Sequence, residues 1–169
     1  MFVKLNGDFD FGDPTSDGVI FMRYPGITYY TISDKTEQEI LSVVPEQFRG
    51  YFNALSMVIT NEYVNIHTDS FINVSINFYV KTCDAVTKFY NIIDSTGHLR
   101  KIPEQTDGRV FAPHQVKEHS SFCAKPHEGW ILNVKQPHSV HCTFGSERTA
   151  FVLQSAELTY EQVKSIINI

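Results

Sequence analysis

Three observations predict a mainly β protein, a sandwich or jelly roll with a few flanking helices. Short runs rich in β-branched and aromatic residues recur along the 169-residue chain, with turn residues between them. Helical periodicity is confined to one stretch before the main strand run and to the C-terminus. Aromatic residues make up 13% of the chain, with 13 Phe and 8 Tyr, and these favour pleated structure. The length is read as one domain, 1–169, able to bury its own core without a staple.

The elements follow in order. Gly7 to Gly18 is rich in Gly, Asp, Pro and Ser and reads as loop. Gly18 to Tyr24 and Ile27 to Ser33 are two β-rich runs, with a reversal at Pro25-Gly26. From Asp34 to about Ala54, Ile40, Leu41, Val43 and Val44, then Phe48, Tyr51, Phe52 and Leu55, keep helical spacing around Pro45, so one broken helix or two short ones are expected. Helices placed before the strands are expected to pack on one outer face. Strand signals then run over Met57 to Ile66, Phe71 to Lys81 and Val86 to Ile93. His98 to Pro126 is polar and irregular, with short candidate strands at Arg109 to Phe111 and near Phe122. Trp130 to Val134 and Arg148 to Ser155 are the last two strands, and Thr159 to Gln162 fits a capping box that opens a short terminal helix.

Composition narrows the function classes. A net charge of −5 offers no basic footprint, so extended nucleic-acid binding is not expected. Cys83, Cys123 and Cys142 form no close pair, which fits free thiols in a reducing compartment. The first residues lack the basic and apolar regions of a signal peptide, and no apolar run approaches a membrane span. The expected location is the cytoplasm, that of the host cell if the chain is phage-encoded.

The chemistry concentrates in His67-Thr68-Asp69, with a distant His138 and then Arg148 ten residues later. On a strand, residues i and i+2 share a face, so His67 and Asp69 would project together. Two imidazoles and one carboxylate with open positions suit Fe(II) in a mononuclear non-haem site. A guanidinium nearby could hold an acidic co-substrate by a bidentate fork. His141, three residues beyond His138, is a rival third ligand.

The stretches IHTDS, INFYV, TKFYNI, GWILNVKQPHSVH and ERTAFVLQ, spanning roughly Tyr63 to Gln154, resemble the 2-oxoglutarate/Fe(II) oxygenase superfamily. The resemblance is to short, prolyl-hydroxylase-like members of the phage and bacterial type. It implies a double-stranded β-helix and a hydroxylase that uses Fe(II), 2-oxoglutarate and O2. It implies His67, Asp69 and His138 as metal ligands and Arg148 as partner of the far carboxylate of 2-oxoglutarate. Tyr79 matches a position where such enzymes place a Tyr hydroxyl on that carboxylate, and Asn77 is expected as a second polar contact. Ala150 stands where some subfamilies carry a Ser. Tyr63, Phe71, Phe78 and Trp130 are candidates for an aromatic lining. The substrate is left open between a small molecule and a protein or peptide, with peptidyl proline or another side chain slightly favoured.

Two other readings stand beside this one. His114, His119, Cys123 and His127 carry spacings that a zinc ion accepts. A jelly roll that binds without catalysis is the third. The long segment 96–127 is expected either to form a lid over the site or to extend the sheet.

Overall fold

The computed structural model describes residues 1–14, 18–24, 26–60, 63–95, 100–101, 108–143 and 145–167. Strands β1 (Phe2–Lys4), β2 (Ile20–Tyr24) and β3 (Ile27–Tyr30) precede helix α1 (Asp34–Leu41) and a 3-10 turn at Glu46–Tyr51. Next come β4 (Asn53–Ile59), β5 (Tyr63–His67), β6 (Val74–Lys81), β7 (Val86–Ile92), β8 (Arg100–Lys101) and β9 (Arg109–Val110). After a 3-10 turn at Pro113–Gln115, the chain closes with β10 (Val116–Cys123), β11 (Gly129–Leu132), β12 (His138–His141), β13 (Arg148–Ser155) and α2 (Tyr160–Ile166).

The strands build two antiparallel sheets. One runs β1-β11-β6-β13-β4-β3-β2 and the other β10-β7-β12-β5-β9-β8. Eight of them interleave as β4-β13-β6-β11 over β5-β12-β7-β10, so the chain crosses repeatedly from sheet to sheet as a jelly roll. Closing the two sheets against each other buries their inner faces, and the helical segments bury the outer face of the central strands of the seven-stranded sheet.

The seven-stranded sheet has two different faces. Its outer face carries Val74, Ile76 and Phe78 of β6 with Phe151 and Leu153 of β13, and these pack with Ile40, Val44, Tyr160 and Val163 from the helical segments. Its inner face meets the six-stranded sheet through Leu55, Met57, Tyr79, Ala150 and Val152, opposite Phe89, Phe122 and Val140. The helices therefore cover one outer face, as expected. Ser33 caps α1 by accepting from the Thr36 amide at 3.2 Å. Thr159 and Gln162 form the expected reciprocal capping box on α2.

Several boundaries differ from the sequence reading. Leu55 belongs to β4 and not to a helix, because the 3-10 turn ends at Tyr51. Met57 to Ile66 is not one strand: β4 and β5 lie in different sheets. Phe2–Lys4 adds an edge strand on β11. His138–His141 is a strand held between β5 and β7. Within 96–127, residues 96–99 and 102–107 lie outside the described residues. The remainder extends the sheet: β8 and β9 continue it beyond β5, and β10 pairs along the length of β7. No helix among the described residues is long and apolar enough to cross a membrane.

Candidate metal and co-substrate site

His67 ends β5 and His138 begins β12, and the two are direct register partners. They are neighbours in one sheet, not residues facing each other across the barrel. Asp69 lies just past the strand, where its amide donates to the Val134 carbonyl at 2.9 Å and the Thr68 amide donates to Arg109 at 2.9 Å. Lys135 Nζ donates to the Asp69 carbonyl at 3.2 Å and also to that of Ser70. The turn that carries the carboxylate is thus tied on both sides.

The donor atoms of His67, Asp69 and His138 all lie within 4.8 Å of one another, the one such group among the described residues. Asp69 Oδ1 is 3.3 Å from His67 Nε2 and 3.8 Å from His138 Nε2. Each imidazole donates its Nδ1 proton to a main-chain carbonyl, His67 to Asn65 at 2.7 Å and His138 to Gln136 at 3.0 Å. With Nδ1 committed to a carbonyl, each ring turns its Nε2 inward, where it can offer a lone pair to a metal once His67 gives up the proton it shares with Asp69. A bulge in β5 supplies one of these acceptors. His138 and Val140 pair with His67 and Val64, so β5 has one residue more than β12 over this interval.

Electrostatics suits a cation. Burial pushes the Asp69 carboxyl up, but the hydrogen bond with His67 and the charges of His138, His67 and Lys135 outweigh it and hold the group below its ordinary value. Burial, and then the charge of His67, pushes His138 down to about 4, so it is neutral at pH 7. Burial pulls His67 down as well, but its hydrogen bond and charge interaction with Asp69 and the Asn65 carbonyl hold it above its ordinary value. Phe89 stacks on the His138 ring at 5.6 Å and closes the buried side.

Arg148, at the start of β13, turns into the interior and is only 1% exposed. Its Nη1 donates to Thr87 Oγ1 at 2.8 Å, and its guanidinium lies over the Tyr79 ring at 4.3 Å. Its Nε and Nη2 have no hydrogen-bond partner among the described residues. A buried cation without an anion is costly, and two free donors on one guanidinium match the two oxygens of a carboxylate. Thr87 pairs with Val140, and Phe89, two residues on, pairs with His138. The guanidinium contact thus stands about 6.6 Å along β7 from the His138 position, at roughly 3.3 Å per residue. That is near the span of an extended five-carbon diacid.

Asn77 does not reach Arg148. Its Nδ2 donates to the Tyr79 hydroxyl at 3.3 Å, and its Oδ1 accepts from Ser75 at 2.6 Å. It stands in a polar ladder, Ser75–Asn77–Tyr79, on the inner face of β6. The rival His141 lies on the other face of β12, bonded to Ser139 at 3.0 Å and packed edge-on against Tyr63 at 4.7 Å. Of the expected aromatic lining, Trp130 packs against the inner cluster. Phe78 lies in the outer cluster, and Tyr63 and Phe71 are exposed. The candidate zinc ligands are not brought together: His114 sits in a 3-10 turn, His119 and Cys123 lie on β10, and His127 stands 3.9 Å from Asp10. Thr87, Phe89 and Lys135 escaped the sequence reading, since a Thr, a Phe and a Lys carry no motif without their neighbours in space.

Comparison with known proteins adds likenesses of fold. The sequence matches no protein-family model. No curated protein matches it either. Among solved structures, a vicilin from Capsicum annuum is similar at a TM-score of 0.47 and 8% identity, over 82% of this chain and 30% of that one. The chain therefore spans under a third of that vicilin's length. The non-heme alpha ketoglutarate dependent epimerase SnoN from nogalamycin biosynthesis is similar at 0.43 and 12% identity, over 83% of this chain and 68% of that one. EvdO2 from Micromonospora carbonacea var. aurantiaca, complexed with 2-oxoglutarate, is similar at 0.37 and 12% identity, over 82% and 76%.

Proposed function

We propose that the protein is a 2-oxoglutarate- and O2-dependent Fe(II) oxygenase that hydroxylates an unactivated C–H bond, with a peptide side chain favoured as substrate. The observation that carries this reading is the buried Arg148 guanidinium, with two unpaired donors, two residues along β7 from the position of His138. A metal cluster alone fits many chemistries. A metal cluster with a buried, unsatisfied cation at diacid distance fits a chelating dicarboxylate.

His67, Asp69 and His138 would hold the metal through two Nε2 atoms and one carboxylate oxygen, leaving positions open for a bidentate acid and a gas. Iron with 2-oxoglutarate supplies the oxidising power for the C–H bond when bound. The chain's own residues bind and orient. Asn65 and Gln136 orient the imidazole rings, and Lys135 braces the Asp69 turn. Arg148 and Thr87 receive the far carboxylate, and Phe2, Phe89, Phe122 and Trp130, packed ring on ring, keep water from the closed end.

Calorimetry with Mn(II) as an inert metal tests the reading. Mn(II) should bind, and 2-oxoglutarate should then bind only to the metal-loaded protein. Succinate formation with Fe(II) and O2 follows as the activity measurement. No binding of 2-oxoglutarate to the loaded protein would overturn the proposal.

A further inference from the structure

We propose that the free edge of β2 takes an extended peptide by strand addition and lays it against the inner face that leads to the His67–Asp69–His138 cluster. This rests on the oxygenase reading and gives it a substrate class: a peptide segment, apolar at alternate positions and neutral or basic in charge.

The edge is unusual in what it exposes. Val19, Ile20, Phe21 and Met22 are consecutive and 72%, 48%, 59% and 37% exposed. Among the described residues β2 pairs only with β3, so its other side offers unpaired main-chain groups. Edge strands are normally blunted by charge or proline, whereas this one carries a single Arg23. Phe21 is the extra residue of a bulge against β3.

The edge also shares a sheet with Arg148, about 14 Å away across three strand spacings. One row of register partners runs Arg148–Ile59–Ile27–Tyr24, from the buried cation to β2. A second runs Tyr79–Ala150–Met57–Tyr29–Met22. Tyr24 donates to Met22 Sδ at 2.9 Å and meets Tyr29 edge-on at 6.5 Å. Ile27 and Tyr29 pack against the inner cluster. A strand added beyond β2 is the next member of these rows.

A peptide fits better than a second copy of this chain. Five residues of edge cover well under the roughly 800 Å² per partner of a stable complex. Two copies at −5 each repel, whereas a neutral or basic peptide does not. Strand addition draws affinity from main-chain bonds and specificity from alternate side chains, which is what an exposed apolar edge can use.

The test pans a random heptapeptide display library against the full chain loaded with Mn(II) and 2-oxoglutarate, then resynthesises the enriched sequences. Methylating alternate peptide nitrogens on one edge should weaken binding at least about tenfold, since several main-chain bonds are lost at once. Phe21→Lys, at an exposed position, should do the same with the urea midpoint kept. Amide exchange should slow across residues 19–24 when peptide binds. No enrichment, or binding indifferent to N-methylation, overturns the proposal. A sedimenting dimer that Phe21→Lys dissociates also overturns it, in favour of a second copy. Binding of Mn(II) and 2-oxoglutarate is measured separately: peptide capture without them sinks only the oxygenase reading, and their binding without peptide sinks only this one.

Discussion

The two faces of the seven-stranded sheet use the same strands for opposite ends. On β6, Val74, Ile76 and Phe78 point to the helices, while Tyr79 points inward with Asn77 and Ser75 bonded along its face. On β13, Phe151 and Leu153 point out, while Arg148, Ala150 and Val152 point in. The outer face is mainly apolar, with Ser56, Thr149 and Ser155 as its buried polar positions, and carries stability. The inner face accepts a buried cation and a polar ladder that a purely structural core would avoid. Alternation lets each strand serve both without compromise, because adjacent residues never share a face.

The largest expected effect tests the outer face. Phe78→Ala should destabilise the protein by about 3–5 kcal/mol in urea unfolding, while Mn(II) and 2-oxoglutarate affinities of the folded protein stay as they were. A loss of affinity without loss of stability would break the division of labour. The inner face should behave in the reverse way. Arg148→Met should weaken 2-oxoglutarate binding by about 1.5–3 kcal/mol, yet leave the ligand-free protein as stable or more stable, since a buried cation with two unpaired donors is removed. Calorimetry and unfolding on one sample decide both halves. A smaller effect is expected of Tyr79→Phe, about 0.5–1.5 kcal/mol of stability from the Asn77 hydrogen bond, with the ring still under the guanidinium.

The smallest effect at neutral pH grows on acidification. Burial and the charge of His67 hold His138 at about 4, below its ordinary 6.5. Between those values the unfolded chain binds a proton that the folded chain does not, so this group's share of stability falls as pH drops through the window. His67, raised by Asp69 against the pull of burial, acts in the opposite sense: its stabilisation is full at low pH and fades as pH rises through its folded value. Metal-free unfolding at pH 7 and about 4.5 should show the His138 slope. His138→Phe should remove it, and Phe78→Ala should leave it unchanged.

Much of the architecture was legible because local chemistry agreed with the fold. Thr159 to Gln162 caps its helix, and Arg148 to Ser155 forms a strand with the bounds its apolar run suggests. The His67, Asp69, His138 and Arg148 quartet stood out because few other roles use those residue types in that order. What escaped depended on neighbours. His138–His141 is four residues with two His, and it is a strand because β5 and β7 flank it on both sides. Val116–Cys123 is polar and mostly exposed, yet β7 templates its length. Phe78 was misassigned because both faces of β6 are buried, so its apolar residues do not mark which face holds the site.

The spare residue in β5 makes chain length itself a target. Two residues, Asn65 and Ile66, separate the inward-facing Val64 and His67 where a regular strand would have one. Losing Asn65 would still leave both flanking side chains inside, so an alignment of the ligands would register no change. It would, however, remove the surplus carbonyl that orients the His67 ring. A single-codon deletion there should silence metal capture with every ligand intact, and a scan limited to substitutions would never find it.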